Sequence, residues 1–292
     1  MARLLNIAIG STCSIPGDVM GNLAQIGNFA AQAGKNSCDL LLTPEMSASG
    51  YGGYPEVLSQ AEPAGQGPIY RALSSMAQAH NLAILAGFVE SERDKRFLSH
   101  YAVFPDGLYL IQRKHRVTPR EHPLNSAVEL YYDDTEGIGH VHEGDEQFSF
   151  FEIKGVKCGI IICADLGIQT RNRIFDQNRL DLLLLPTSAG GTRDDRVTDA
   201  DLMTQEGLKR YYKLVEGACF PGEGILECIR HRRGMAAVNM CGYDGRDFYH
   251  GGQGSIISPF GDVVGLLAGI PNLDRQQPRM VFGPIDFDER FA

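Results

Sequence analysis

The stretch Asp39-Leu40-Leu41-Leu42-Thr43-Pro44-Glu45 is echoed by Asp181-Leu182-Leu183-Leu184-Leu185-Pro186-Thr187. Unbroken leucine runs of this kind suit strands buried on both faces, as in parallel sheets. The proline closing each run cannot donate to a sheet ladder, so it stops the strand and frees the next residue to point into a cleft. Each run also follows a helical pattern. Before the first, Val19, Leu23, Ile26, Ala30 and Ala33 recur at spacings of three and four on one helix face. A duplicated half, giving two facing sheets with helices outside, accounts for the echo. Coincidence between two leucine-rich strands accounts for it as well.

Outward from these runs the same alternation continues. Strand-like segments fall at 4–9, 40–43, 83–89, 101–104, 108–112, 157–163, 182–186, 235–239, 255–258, 263–267 and 280–285. Ile69, Leu73, Met76 and His80 repeat the helical spacing after Pro68, a residue suited to a first helical turn. Segments 170–180, 198–216 and 224–232 also read as helices. Strands alternating with helices mean an α/β protein. No linker or low-complexity stretch divides the chain, so a single domain over 1–292 is expected. The polar, Gly-containing stretch 190–224 is its expected loop or helix insertion.

Composition narrows the function. The chain has 292 residues, 43% apolar and 22% charged, with a formal net charge of −9. That apolar content can bury a core, which excludes disorder. The acidic balance argues against a nucleic-acid groove or an anionic membrane surface as the partner. Apolar runs such as 82–89 fall far short of the about 20 residues a bilayer span requires. The first ten residues read as a buried strand and not as a secretory signal. Seven cysteines, at 13, 38, 158, 163, 219, 228 and 241, include no C-x-x-C pair. Neither a disulfide framework nor a zinc site is expected, and a reducing cytoplasm is.

Three residues carry the chemistry together, though none does so alone. Cys163 closes Gly159-Ile-Ile-Ile-Cys163-Ala-Asp165, where a buried strand delivers a thiol to a turn. A nucleophile wants that place, rigid behind and open in front, with the Ala164 backbone N–H free to hold an oxyanion. Free cysteine is also among the most buried residue types, so the segment by itself decides nothing. Glu45 follows the first leucine run, where a carboxylate needs water, a cation or a task. Lys114 follows the strand at 108–112 within Arg113-Lys114-His115-Arg116. As a set, Glu45 can take the thiol proton, and Lys114 can offset the like-charge repulsion between carboxylate and thiolate.

With these residues in view the chain resembles the nitrilase superfamily of carbon–nitrogen hydrolases over nearly its whole length. The resemblance rests on four blocks. They are Pro44-Glu45 with Ser49-Gly50-Tyr51; Phe104-Pro-Asp-Gly107 leading to Arg113-Lys114-His115; Gly155 to Asp165; and Asn239-Met-Cys-Gly242 with Gly251 to Ser255 and Ser258-Pro259-Phe-Gly261-Asp262. The resemblance implies a four-layer α-β-β-α sandwich and a Glu45–Lys114–Cys163 triad that works through a cysteinyl thioester, without cofactor or metal. It also implies a second glutamate after the lysine: Glu121, with Glu129 and Glu136 as rivals. Tyr51, Thr187 and Ser188 are the candidates for substrate contact.

The implied activity is that of an amidase acting on a small-molecule amide. The alternatives are an N-carbamoyl amine hydrolase, in which Arg171 or Arg173 holds a substrate carboxylate, and a nitrilase. A non-catalytic assembly module on the same fold is the reading from another class. A homodimer or larger homo-oligomer is implied by the family's habit. The chain departs from the family pattern in three places: Ala164, the pair Gln169-Thr170, and Met240. The small Ala164 implies a roomier pocket.

Overall fold

The computed structural model describes residues 3–132, 137–215, 221–269 and 277–288. The first half runs β1 (Leu4–Ser11), α1 (Val19–Lys35), β2 (Leu40–Leu42), the one-turn α2 (Pro55–Leu58), α3 (Pro68–His80), β3 (Ala83–Glu92), β4 (Lys95–Val103) and β5 (Tyr109–Arg113). A small hairpin, β6 (Leu130–Tyr131) with β7 (His140–Val141), leads into β8 (Phe150–Ile153), β9 (Val156–Ile160), α4 (Arg171–Gln177) and β10 (Leu182–Thr187). Then come β11 (Gly190–Thr192), α5 (Gln205–Val215), α6 (Pro221–His231), β12 (Gly234–Asn239), β13 (Cys241–Tyr243) and β14 (Phe248–Gly251). The last strands are β15 (Gly254–Ile257), β16 (Val263–Leu267) and β17 (Arg279–Asp286).

Two six-stranded sheets share one plan, β17-β1-β2-β3-β4-β5 and β8-β9-β10-β12-β15-β16. In each, three parallel strands form the centre, with one antiparallel strand on one side and two on the other. The two leucine runs hold matching central places as β2 and β10. The duplication reaches single bonds. Asp39 N donates to Asn6 O while Asp39 Oδ2 accepts from Asn6 N, and Asp181 does the same with Lys157. Helix exits match too, through left-handed residues at Ser37, Asn81, Arg179 and Arg232, with φ between 50° and 53°.

Alternation along the strands explains why the runs are apolar throughout. Leu40 and Leu42 face inward with Leu182 and Leu184 in the core between the sheets. Leu41 faces outward against Ile26 and Ala30 of α1 and Leu73 of α3. On the other side Leu183 and Leu185 meet Phe175 of α4 and Cys228 of α6. Successive side chains point to opposite faces, so each strand feeds two cores at once. The result is an α-β-β-α sandwich, as expected. Among the described residues no helix is long and apolar enough to cross a membrane.

Several segments differ from their sequence reading: β8, β13 and β14 are not among the expected strands, the strand expected to 163 ends at Ile160, and two others differ more. β4 begins at Lys95, six residues ahead of the expected start. Its polar opening pairs with the end of β3, where Arg113 bridges Glu90 (2.6 Å) and Glu92 (2.9 Å). Helix 198–216 is interrupted, because Asp201 accepts from both the N–H and hydroxyl of Thr198, closing a separate turn before α5 starts at Gln205. Within the expected insertion, β11 pairs with β14, and β14 with β13, in a three-stranded sheet. Residues 216–220 lie outside the described residues.

A buried carboxylate holds the start of α3. Glu62 accepts from Ile69 N (2.8 Å) and Tyr70 N (2.9 Å), two first-turn N–H groups that the helix cannot satisfy itself. Glu62→Ala should lower stability by about 1–2 kcal/mol in urea unfolding. An unchanged midpoint would show that the cap contributes nothing.

Candidate active site

Four strand ends converge at one edge of the sandwich, the place where open α/β sheets present ligand sites. After β2 come Thr43, Pro44 and Glu45. His100, buried and held neutral by burial with its pKa down at about 4, bonds Thr43 O through Nε2 (3.1 Å) and fixes this exit. Met46 then takes a left-handed conformation (φ 53°), and the segment lies across β3 at Gly87. A Cβ on Gly87 would stand 2.1 Å from Met46 N, so only glycine permits the approach. From β10, Ser188 donates its hydroxyl to Glu45 O (2.8 Å), joining the two sheets.

Lys114 follows β5 and is fully buried. Its Nζ donates to Glu45 Oε1 (2.7 Å) and to Glu121 Oε1 (2.5 Å). Glu121 also accepts from Tyr51 OH (2.9 Å) and, through Oε2, from Thr118 N (2.8 Å). Cys163 stands just past β9 with φ 45°, a conformation an L-residue adopts at a cost. This turn carries the sulfur on a residue that is partly exposed. The Glu45 carboxyl lies beside the thiol. Its second oxygen, Oε2, has no hydrogen-bond partner among the described residues, so it is the oxygen left to take a proton.

The electrostatics follow from burial. Desolvation pushes Glu45 up to about 8, against the pull of the Lys114 ammonium. Desolvation and then the Glu45 charge push the Cys163 thiol well above its ordinary value. For Lys114 burial opposes the charge, but the Glu121 and Glu45 carboxylates outweigh it and raise its pKa well above the usual value. Glu45 thus holds its proton to higher pH than an ordinary carboxylate, and the Cys163 thiol holds its own higher still. One proton must leave before Glu45 can act as a base.

Asp165 ties the nucleophile turn to the lysine strand, a role the sequence did not disclose. Its carboxylate accepts from His115 N (3.0 Å) and Arg116 N (2.7 Å), the two residues after Lys114. Gln147 N donates to His115 Nε2, which leaves the ring hydrogen on Nδ1, 3.2 Å from Asp165 Oδ2. Arg116 Nη1 donates to Ala164 O (3.0 Å), so the peptide after the thiol is held as well. Asp165→Asn replaces an acceptor with a donor facing an N–H. It should lower kcat by about 10²-fold, the order expected when a reacting group is displaced by about 1 Å. KM should change little and the folded content should stay; parental kcat would exclude this positioning role.

The remaining candidates take definite places. Tyr51 is buried, with its hydroxyl on Glu121 and its ring edge against His250 (centroids 5.5 Å apart). Thr187 and Ser188 are buried; their hydroxyls meet Asn239 Oδ1 (3.1 Å) and Glu45 O. All three hydroxyls thus hold the frame of the site. Glu129 is exposed, and Glu136 lies outside the described residues. Arg171 pairs with Glu227 (3.3 Å) and Arg173 with Glu143 (2.8 Å), so both guanidiniums already have carboxylate partners. No group of three or more described His, Cys, Asp or Glu residues is placed to hold a metal ion.

Comparison with known proteins bears on the family and the fold. The family model described as carbon-nitrogen hydrolase matches residues 6–205. A Pseudomonas protegens protein described as a hydrolase in the pqqF 5′ region is 26% identical over 283 residues, covering 94% of this chain and 84% of its own. A Schizosaccharomyces pombe protein described as a probable nitrilase is 26% identical over 274 residues, covering 93% and 85%. Among solved structures, a cysteine-to-alanine mutant of the amidase from Nesterenkonia sp. AN1, in complex with butyramide, superposes with a TM-score of 0.70. It is 18% identical and covers 97% of this chain and 92% of its own, a likeness of fold.

Proposed function

The chain belongs to the carbon–nitrogen hydrolase family, and from that premise we propose that it is an amidase acting on small amides through a cysteinyl thioester. One observation supports this most: a buried ammonium clamped between Glu45 and Glu121, with Glu45 beside a thiol at a left-handed strand-end turn. In the proposed sequence ionised Glu45 takes the Cys163 proton and the sulfur attacks the amide carbon. The oxyanion forms against the Ala164 N–H and the third hydrogen of the Lys114 ammonium. Glu45 returns the proton to the departing amine, then activates water to cleave the thioester. The butyramide bound by the Nesterenkonia amidase makes short aliphatic amides the first class to try. The carbamoyl reading would need a guanidinium at the substrate, and Arg171 and Arg173 are both already paired.

The experiment is a panel of aliphatic amides, N-carbamoyl amino acids and nitriles, read by ammonia release and by intact mass for an acyl adduct. Turnover confined to amides supports the proposal. Silence across the panel from folded protein would favour an assembly module. The pH profile tests the base. Glu45 must be ionised to accept the thiol proton and holds its own proton up to about 8. kcat/KM should therefore rise about tenfold per pH unit below 8 and level off above it. Glu45→Gln should remove most of the rate. A profile flat from pH 6 to 9 in the parent would show that Glu45 does not titrate near 8, and a parental rate in Glu45→Gln would rule it out as the base.

A further inference from the structure

We propose that Cys13 and Cys241 form a reversible disulfide site that takes small-molecule disulfides, such as oxidised glutathione, as its oxidant. The two residues are 228 positions apart, and their sulfurs stand 2.7 Å from each other. That is about 0.7 Å beyond the length of a disulfide bond. Cys13 follows β1 of one sheet and Cys241 opens β13, just past the end of β12 in the other. Cys241 N donates to Thr12 O (2.9 Å), and Gln25 brackets Cys13 with bonds to its N–H and carbonyl (both 3.0 Å). Both backbones are thus fixed where the sulfurs meet.

The surroundings are shaped around the pair. Gly242 has φ +88°, and a Cβ there would lie 2.9 Å from Cys13 Sγ. Gly252 has φ +69°, and a Cβ there would lie 2.7 Å from Cys241 Cβ. Arg279, anchored on Gly252 O (2.9 Å) and Ala268 O (2.8 Å), adds positive charge beside both sulfurs. The contact between the two sulfurs shares one hydrogen, raising the Cys13 pKa and lowering that of Cys241, so the pair carries thiolate character that a proton shift across 2.7 Å can move from one sulfur to the other. Cys13 is partly exposed and Cys241 is buried, so an oxidant meets Cys13 first.

The exchange balances. The proton shared between the two sulfurs passes from Cys13 to Cys241, and Cys13, now the thiolate, attacks one sulfur of the external disulfide. It expels a small thiolate, which takes up the proton the pair had released. The Cys241 sulfur then attacks the Cys13 sulfur of the mixed disulfide and expels the second small thiol, which leaves with the Cys241 proton. Two protein thiols are oxidised, and one disulfide is reduced to two thiols. The bond fastens β1 to the strand end next to Asn239, which holds Thr187 and Ala189 at the site edge.

The test equilibrates the Cys163→Ala protein with oxidised glutathione, alkylates the remaining thiols and maps the peptides by mass. A linked peptide pair containing Cys13 and Cys241, reopened by dithiothreitol, is expected. The linked form should melt roughly 5–15 °C higher, because the bond closes a very long loop. Cys241→Ser should stop at a glutathione adduct on Cys13. Both thiols still open to alkylation, a linkage between other cysteines, or a mixed disulfide that Cys241 never resolves would each overturn the proposal. The peptide map of the chain carrying both cysteines decides even where the serine variant does not fold.

Discussion

Cys163→Ala should release ammonia from the best amide at least about 10⁴-fold more slowly than the parent, while still binding the amide and keeping its fold. The rate follows from the proposed sequence, in which this sulfur is the only atom bonded to the acyl group. Removal of a covalent nucleophile costs about 10⁶ in a comparable acyl-transfer enzyme. Stability should stay within about 1 kcal/mol. The residue is partly exposed and the deleted group is one sulfur, and alanine adopts the φ of 45° no less readily than cysteine. Substrate contacts from the surrounding walls survive, so calorimetry on the variant should show amide binding without turnover. A rate near the parent's would remove Cys163 from the chemistry.

The fold was open to sequence reading wherever burial alone decides the residue type. Leu40–Leu42 and Leu182–Thr187 are buried on both faces, so nearly any polar residue there would have been visible as an exception. The opening of β4 was hidden because Lys95 and Arg96 lie on the exposed end of a hairpin, where pairing selects charge and not hydrophobicity. The break at Thr198 and Asp201 was hidden because a side chain bonding its own backbone leaves no periodic trace.

The site divides along the same physical line. Glu45, Lys114 and Cys163 stood out only as a set: each alone is an ordinary loop acid, hairpin-rim cation or buried thiol, but together at strand ends they make one reaction. Asp165 did not, since its partners are backbone N–H groups that every residue carries. Glu121 could not be told from Glu129 by spacing. What separates them is the 3-10 turn Pro119–Glu121, whose capping box with Thr118 turns one glutamate inward to Lys114.

Lys114→Met carries the second large effect, and it separates chemistry from architecture. The ammonium is the shared partner of two buried carboxylates, and removing one member of such a group costs about 3–5 kcal/mol. The sign of the pH dependence follows from Glu45. Its folded pKa is raised, so its contribution to stability is full below the unfolded value and declines as pH rises through about 8. In the parent that decline ends near 8, where Glu45 ionises beside the ammonium. Without Lys114 the proton is held still higher, so the stability gap between variant and parent should widen above pH 8 in urea unfolding. Adding Glu121→Gln to Lys114→Met removes the stranded charge. The amide's single oxygen can keep the Thr118 N–H, and its NH2 can donate to the Tyr51 hydroxyl, which turns to accept, so much of the stability should return. The rate should not, because the donor to the oxyanion is still missing, and turnover should remain about 10³-fold down. A double variant that regains both stability and rate would make Lys114 a structural cation, and the proposed sequence would then need another electrophile.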